Sequence, residues 1–273
     1  MRKTAVSFGG GVNSTALLVG LHERGQRPDL ILFADTGGEK PETYKHLAIM
    51  RHWCLSNGFP EITVVRYHES KHASLEQECL NNGTLPSKAF GYAGCSVKWK
   101  RQPMDKFLHA WVERHEPSIR IYDDTSAKAP KLLGYSPRIE RLIGLHFGEW
   151  KRGKIADTEH FVYRYPLREW EWEQADCQAA CERAGIRVPV KSACFYCPAN
   201  RKPEVLALAK THPKLFARAV EMEHNAQECG GLQVVKGLGR HWTWEDLAAA
   251  DAAQLRAFPD GQAPLCDACF DGD

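Results

Sequence analysis

The first 67 residues constrain the fold more than any other part of the chain. An apolar run, Thr4 to Phe8, leads into Gly9-Gly10-Gly11, and the glycines lead into a helical pattern from about Asn13 to Glu23 that Gly25 and Pro28 end. A second apolar run, Leu30 to Phe33, stops at the segment FADTGGEKPE, and Pro41 to Asn57 then has helical spacing. Gly58 and Pro60 precede a third run, Ile62 to Tyr67. Strands separated by helices are not joined by tight hairpins, so they pair in parallel, with helices covering the faces of the sheet.

Beyond this block, His72 to Ala93 is polar and Gly-containing and reads as an irregular excursion. A helix near Pro103 to Arg114 follows, and apolar runs at Ile119 to Tyr122 and Leu142 to Phe147 are expected to complete the sheet. From Pro166 the pattern is mainly helical: Glu173 to Ala184, Pro203 to Lys210, Pro213 to Gln227, and Glu245 to Phe258 behind a Thr243 to Asp246 capping box. The expected fold is α/β, an open, mostly parallel twisted sheet with helices on both faces, followed by a mainly helical, cysteine-containing lobe. The division is expected at residues 1–165 and 166–273. A chain of 273 residues can bury the core this requires. No apolar run nears the roughly 18 residues of a membrane span, and the N-terminus lacks a signal-peptide pattern, so a cytoplasmic protein without a membrane partner is expected. A net charge of +2 gives no argument for nucleic acid, and clusters such as Lys98, Lys100, Arg101 and Lys151, Arg152, Lys154 read first as solvated faces.

A strand, a glycine run and a helix N-terminus form a phosphate site, because glycine lets the backbone approach closely and the first helical amides favour an anion. The residues are Ser7, Gly9, Gly10, Gly11, Asn13, Ser14 and Thr15. The loop is not a Walker A sequence, since no lysine precedes Ser14, and its spacing is not that of the dinucleotide fingerprint.

Ten cysteines in a reducing compartment point to metal before disulfides. Two CxxC pairs stand out, Cys194/Cys197 and Cys266/Cys269. Together they would satisfy a tetrahedral zinc site. Cys54 lies on a helical apolar stripe, and Cys177 and Cys181, four apart on a helix, are expected to be buried.

The glycine loop resembles the PP-loop of the N-type ATP pyrophosphatases and phosphosulfate reductases, SGGxDS after the first strand, with Gly9 at the family serine and Asn13 at the aspartate. Asp35-Thr36-Gly37-Gly38-Glu39-Lys40-Pro41-Glu42-Thr43 is similar to the DTG-x-x-x-P-E-T element of the same families, which stands beside the nucleotide. Gly94-Cys95-Ser96-Val97-Lys98-Trp99-Lys100-Arg101-Gln102-Pro103 is similar to the CCxxRKxxP element of iron-sulfur adenylylsulfate reductases, and Cys194-Phe-Tyr-Cys197 to their later CxxC. The likeness is nearer still to phage and bacterial phosphoadenosine-phosphosulfate-reductase-like proteins and to the sulfur-transfer subunit of DNA phosphorothioation systems, through Ser192-Ala193-Cys194-Phe195-Tyr196-Cys197-Pro198 and the Leu215 to Glu223 stretch.

The resemblance implies an adenine nucleotide alpha hydrolase-like fold, ATP with Mg²⁺ held by the glycine loop and by Asp35, Thr36 and Gly37, and adenylation with release of pyrophosphate. It implies a [4Fe-4S] cluster on Cys95, Cys194 and Cys197 plus Cys266 or Cys269, with zinc the alternative, and sulfur transfer to an acceptor such as DNA or tRNA. Lys100 and Lys98 would neutralise anionic groups there. A sulfur-donor protein or a second copy would be the protein partner. Gly144, Glu149 and Arg152 match a family segment with a substrate-orienting role. Two alternatives remain at this level: reduction of adenylylsulfate or its phosphorylated form, with Cys229 of Glu228-Cys229-Gly230-Gly231 as nucleophile, or an ATP-binding sensor or nucleic-acid-associated module with structural zinc.

Overall fold

The computed structural model describes residues 2–123, 125, 129–152 and 154–257, the last three of these as backbone only. In chain order the elements are β1 (Thr4–Ser7), α1 (Val12–Glu23), β2 (Leu30–Asp35), α2 (Pro41–Ser56), β3 (Ile62–Arg66), α3 (Leu75–Asn81) and the single turn α4 (Gly94–Ser96). A π-helical turn, Val97–Arg101, leads into α5 (Gln102–His115), followed by β4 (Arg120–Asp123), β5 (Lys131–Tyr135), β6 (Ile139–Ile143) and β7 (Phe161–Arg164). The remaining helices are α6 (Pro166–Glu169), α7 (Gln174–Arg183), α8 (Lys202–Thr211), α9 (Pro213–Glu228) and α10 (Trp244–Ala257).

Five strands form one sheet in the order β3-β2-β1-β6-β7, and every neighbouring pair is parallel. The two-residue period of the strands divides their side chains between two cores. Val6, Ile31, Phe33, Ile62 and Leu142 face α1, α2 and α7, whereas Ala5, Leu30 and Ile139 pack with Leu108 and Val112 of α5. Burial on both faces explains why β2 has no exposed residue.

Helix α1 is apolar all round because it lies in the middle of a layer: Ala16, Leu17 and Leu18 have no exposed surface, and Leu167, Cys177, Ala180 and Cys181 share their core. Each fully buried leucine contributes roughly 1.5–3 kcal/mol. Gly20 permits this packing, since a Cβ there would stand 2.3 Å from Cζ3 of Trp170. Burial pushes the Cys54 and Cys177 thiols up to about 12 and that of Cys181 to about 11, as befits packing groups.

One expected strand of the sheet stands elsewhere. The run Ile119 to Tyr122 does not join the sheet; β4 pairs antiparallel with β5 in a separate two-stranded ribbon. Ile121 and Tyr122 are exposed there, as suits a ribbon and not a central strand. The fifth strand is β7, whose four residues are too short to carry a clear periodicity.

The chain folds into two compact units, and their boundary differs from a cut at residue 165. The first comprises the chain up to Leu75 together with Cys95–Cys194; the second comprises Glu76–Gly94 and the chain from Phe195 on. Segment 166–194 stays with the first unit because Leu167 and the buried face of α7 belong to the sheet core. The excursion joins the second unit through specific contacts: Nε of Arg218 donates to Glu76 at 2.9 Å, and Nδ2 of Asn225 to the Leu80 carbonyl at 2.7 Å. There α8, α9 and α10 bury Val205, Leu208, Ala219, Met222 and Trp244. Among the described residues no helix is long and apolar enough to cross a membrane.

Candidate functional site

The strand order reverses at β1, since β2 lies on one side of it and β6 on the other. Ligands of open α/β sheets bind outside the carboxyl ends of the strands at such a point. The glycine loop stands there. Gly10 has φ +74°, a left-handed backbone that favours glycine, and a Cβ on it would lie 3.1 Å from Cγ2 of Thr43. Gly11 caps α1 without offering a side chain, so the capping residue itself leaves the first-turn amides uncovered. Ser14 instead turns back, its Oγ accepting from the Gly11 amide at 3.2 Å and donating to the Gly11 carbonyl at 3.0 Å.

The other expected loop residues have separate duties. Thr15 is buried, donates to the Gly11 carbonyl at 3.0 Å and shares a 2.8 Å hydrogen bond with Nε2 of His46. Burial lowers the His46 pKa and keeps the ring neutral in that bond. The Ser7 hydroxyl accepts from Arg141 at 3.4 Å, and Arg141 pairs with Asp105. Asn13 donates from Nδ2 to Oε2 of Glu149 at 2.8 Å, while Arg152 holds Oε1 of the same carboxylate at 2.7 Å. A Cβ on Gly144 would stand 2.8 Å from the Asn13 carbonyl, so the end of β6 is pressed against the loop. The structure thus brings Gly144, Glu149 and Arg152 to the glycine loop.

The FADTGGEKPE turn is built around Asp35, which is buried at 2% exposure. Its Oδ1 accepts from the Gly37 amide and from the Tyr44 hydroxyl, both at 2.8 Å, and its Oδ2 accepts from Nε and Nη2 of Arg66 at 3.0 and 2.6 Å. Burial, with the Asp35 bond second, pushes the Tyr44 pKa upward, so the phenol stays protonated and donating. Asp35 therefore sets the geometry of the turn. Gly37, with φ +79°, lets the chain pass Ser74, whose Cβ would be 2.8 Å from an added Cβ.

Residues Ser192 to Cys194 run as a strap across the ends of β1 and β2. Glu39 and Cys194 pair as an antiparallel bridge, and the Lys40 amide donates to the Ala193 carbonyl at 3.3 Å. At one end of the strap, Oγ of Ser192 would be 3.0 Å from a Cβ on Gly11. At the other, Sγ of Cys194 lies 3.0 Å from Oγ1 of Thr36 and 3.8 Å from Oε1 of Glu39. Glu39 accepts from Lys100 at 2.7 Å, and its other oxygen is buried without a hydrogen-bond partner among the described residues. Lys100 reaches it from the π-helical turn, a distortion that recurs at functional sites. Lys98 on the same turn points elsewhere, its Nζ 5.6 Å from the centre of the Tyr67 ring.

Sequence reading missed Ser192, Glu39 and Thr43 as parts of this arrangement, although each stood inside a quoted motif. Of the expected metal ligands, Cys95 and Cys194 belong to the first unit and Cys197 to the second, and Cys266 and Cys269 lie outside the described residues. The thiol set has the softness that iron-sulfur clusters require, but among the described residues no group of three or more His, Cys, Asp or Glu is arranged to hold a metal ion. They do not by themselves make a fit for the cluster. Cys229 is exposed at the end of α9 in the second unit, with its side chain against Gly83.

No family model matches the chain, and no curated protein matches it. Among solved structures it is similar to the U34-tRNA thiolase NcsA from Methanococcus maripaludis with its [4Fe-4S] cluster, at 14% identity and a TM-score of 0.39, over 87% of this chain and 76% of that one. A likeness of that size adds nothing to the reading of the site.

Proposed function

We propose that the protein binds the magnesium complex of ATP at the glycine loop, transfers its adenylyl group to an acceptor oxygen, and uses the activated product for sulfur transfer. The acceptor oxygen attacks the α-phosphorus as the bond to the pyrophosphate oxygen breaks. The amides at the start of α1 stabilise the negative charge that develops on the phosphates. A hydrosulfide then attacks the activated carbon, the carbon–oxygen bond breaks, and AMP leaves with the electron pair, so that a hydroxyl is exchanged for a thiol at the expense of one ATP.

The observation that carries this reading is the meeting of three sequence elements at the ends of β1 and β2. Thr43 abuts Gly10, Ser192 abuts Gly11, and the Cys194 sulfur stands 3.0 Å from the Thr36 hydroxyl. The glycine loop and a thiol thereby stand at the same strand ends of the first unit. The test is pyrophosphate release from MgATP with DNA or tRNA as acceptor, comparing the wild type with Gly10→Ala, which forces a side chain into a left-handed position beside Thr43. Release by the wild type and its loss in the variant are expected. Equal release by both would refute the assignment of the loop.

A further inference from the structure

We propose that Ser192 and Thr43 are phosphate-contacting residues, two hydroxyls on either side of the glycine loop that bind the pyrophosphate portion of the nucleotide. This rests on the ATP reading above and adds to it which side chains complete the cradle. Backbone amides at a helix start attract an anion but cannot discriminate well among anions. Hydroxyls flanking the loop add directed donors that a pyrophosphate group, with its many acceptor oxygens, can use.

Ser192 is held at the loop by the strap. The Lys40–Ala193 backbone hydrogen bond and the Glu39–Cys194 bridge fix the chain immediately after it. Its Oγ then packs on the α-carbon of Gly11, 3.0 Å from where a Cβ would stand, and its Cβ is 3.9 Å from the corresponding point on Gly10. Ser192 itself is half-buried.

Thr43 supplies an independent observation. It is 2% exposed, its methyl group approaches Gly10, and its hydroxyl is buried with no hydrogen-bond partner among the described residues. A buried hydroxyl left without a partner costs about 1–3 kcal/mol, a penalty that a bound phosphate oxygen removes. Ser192 thus borders Gly11 with its hydroxyl, and Thr43, on the first turn of α2, borders Gly10 with its methyl while its hydroxyl on the same Cβ is left unsatisfied.

The experiment is calorimetric titration of the full chain with inorganic pyrophosphate, ATP and adenosine, using wild type, Ser192→Ala, Thr43→Val and Gly10→Ala, with melting temperatures recorded for each. Thr43→Val keeps the methyl that meets Gly10 and removes only the hydroxyl, so it carries the test if Ser192→Ala fails to fold. Each hydroxyl variant is expected to weaken pyrophosphate and ATP by about 10-fold or more, the scale of one hydrogen bond to a charged group, and to leave adenosine unchanged. If the wild type binds neither pyrophosphate nor ATP, the nucleotide reading itself fails. If it binds both, Gly10→Ala loses them and the hydroxyl variants match the wild type, the ATP reading stands and this assignment is overturned. Equal weakening of adenosine would make the two residues structural and would also overturn it.

Discussion

Glu223 offers a quantitative test of how the second unit is held together. Its side chain sits on the inner face of α9 with no exposed surface, and the carboxylate accepts the backbone N–H groups of Leu238 at 2.6 Å and Trp244 at 2.9 Å. It therefore pins the loop before α10 and caps the start of that helix. Burial is the largest influence on its titration and pushes its pKa from 4.5 up to about 7, against the opposing effect of those N–H donors. The folded protein holds this proton more tightly than the unfolded chain does. The stability it contributes is consequently complete below pH 4.5 and lost as the pH rises through about 7. Over that interval, at about 1.36 kcal/mol per pH unit, the loss amounts to about 3 kcal/mol. Urea unfolding at pH 5, 6, 7 and 8, followed by tryptophan fluorescence, measures it, because Trp244 is fully buried and stacks on Phe216 at 6.3 Å. Glu223→Gln keeps the shape and an acceptor oxygen but removes the titration, so the wild type should lose about 2–3 kcal/mol more than the variant between pH 5 and pH 8. Equal pH dependence in the two proteins would refute the reasoning, and a wild type that gains stability over this range relative to the variant would reverse its sign.

Other residues give independent expectations. Gly9→Ser should fold and bind nucleotide as the wild type does, since a Cβ at Gly9 finds its nearest neighbour, Ser14 Oγ, at 3.9 Å; a melting curve and an ATP titration check this. Lys100→Met leaves the buried Glu39 carboxylate without its 2.7 Å ion pair and should destabilise by about 3–5 kcal/mol, with Glu39→Gln in the same chain restoring much of the loss by denaturant titration. Cys229→Ser should leave pyrophosphate release intact, because adenylation at the glycine loop calls on no thiolate nucleophile; abolition of activity would instead favour the reductase reading. Asn13→Asp should lower the melting temperature and weaken ATP binding by setting two carboxylates against each other, and Glu149→Gln should rescue both.

Much of the first unit was legible because its determinants are local. Strand β2, buried along its whole length, reads as an unbroken apolar run, and glycines and prolines punctuate the strands and helices around it. Helix α7 could be found from sequence, but not the layer to which it belongs, because that choice depends on Gly20 leaving room for Trp170 some 150 residues later. Strand β7 was missed since four residues show two alternations at most. The same distinction applies within the site. The loop and the turn were visible as glycine, charge and proline beside strand ends, whereas the contact of Ser192 with Gly11 joins residues far apart in the chain and has no local signature.

Asn13 shows how such a contact can explain a departure from a sequence pattern. The resembling families have aspartate at this position, and taken alone the asparagine looks like a lost carboxylate. Here Nδ2 is the donor to Glu149, 2.8 Å away, and Glu149 also accepts the His146 amide at 3.2 Å and Arg152 at 2.7 Å. An aspartate in the same place would bring a second acceptor to a carboxylate oxygen and forfeit a charge-assisted hydrogen bond of about 1.5–3 kcal/mol. The negative charge next to the glycine loop is therefore supplied from the segment after β6 and not from α1. Position 13 is set by its partner, which is why the loop and the Glu149 segment have to be altered together to change either one.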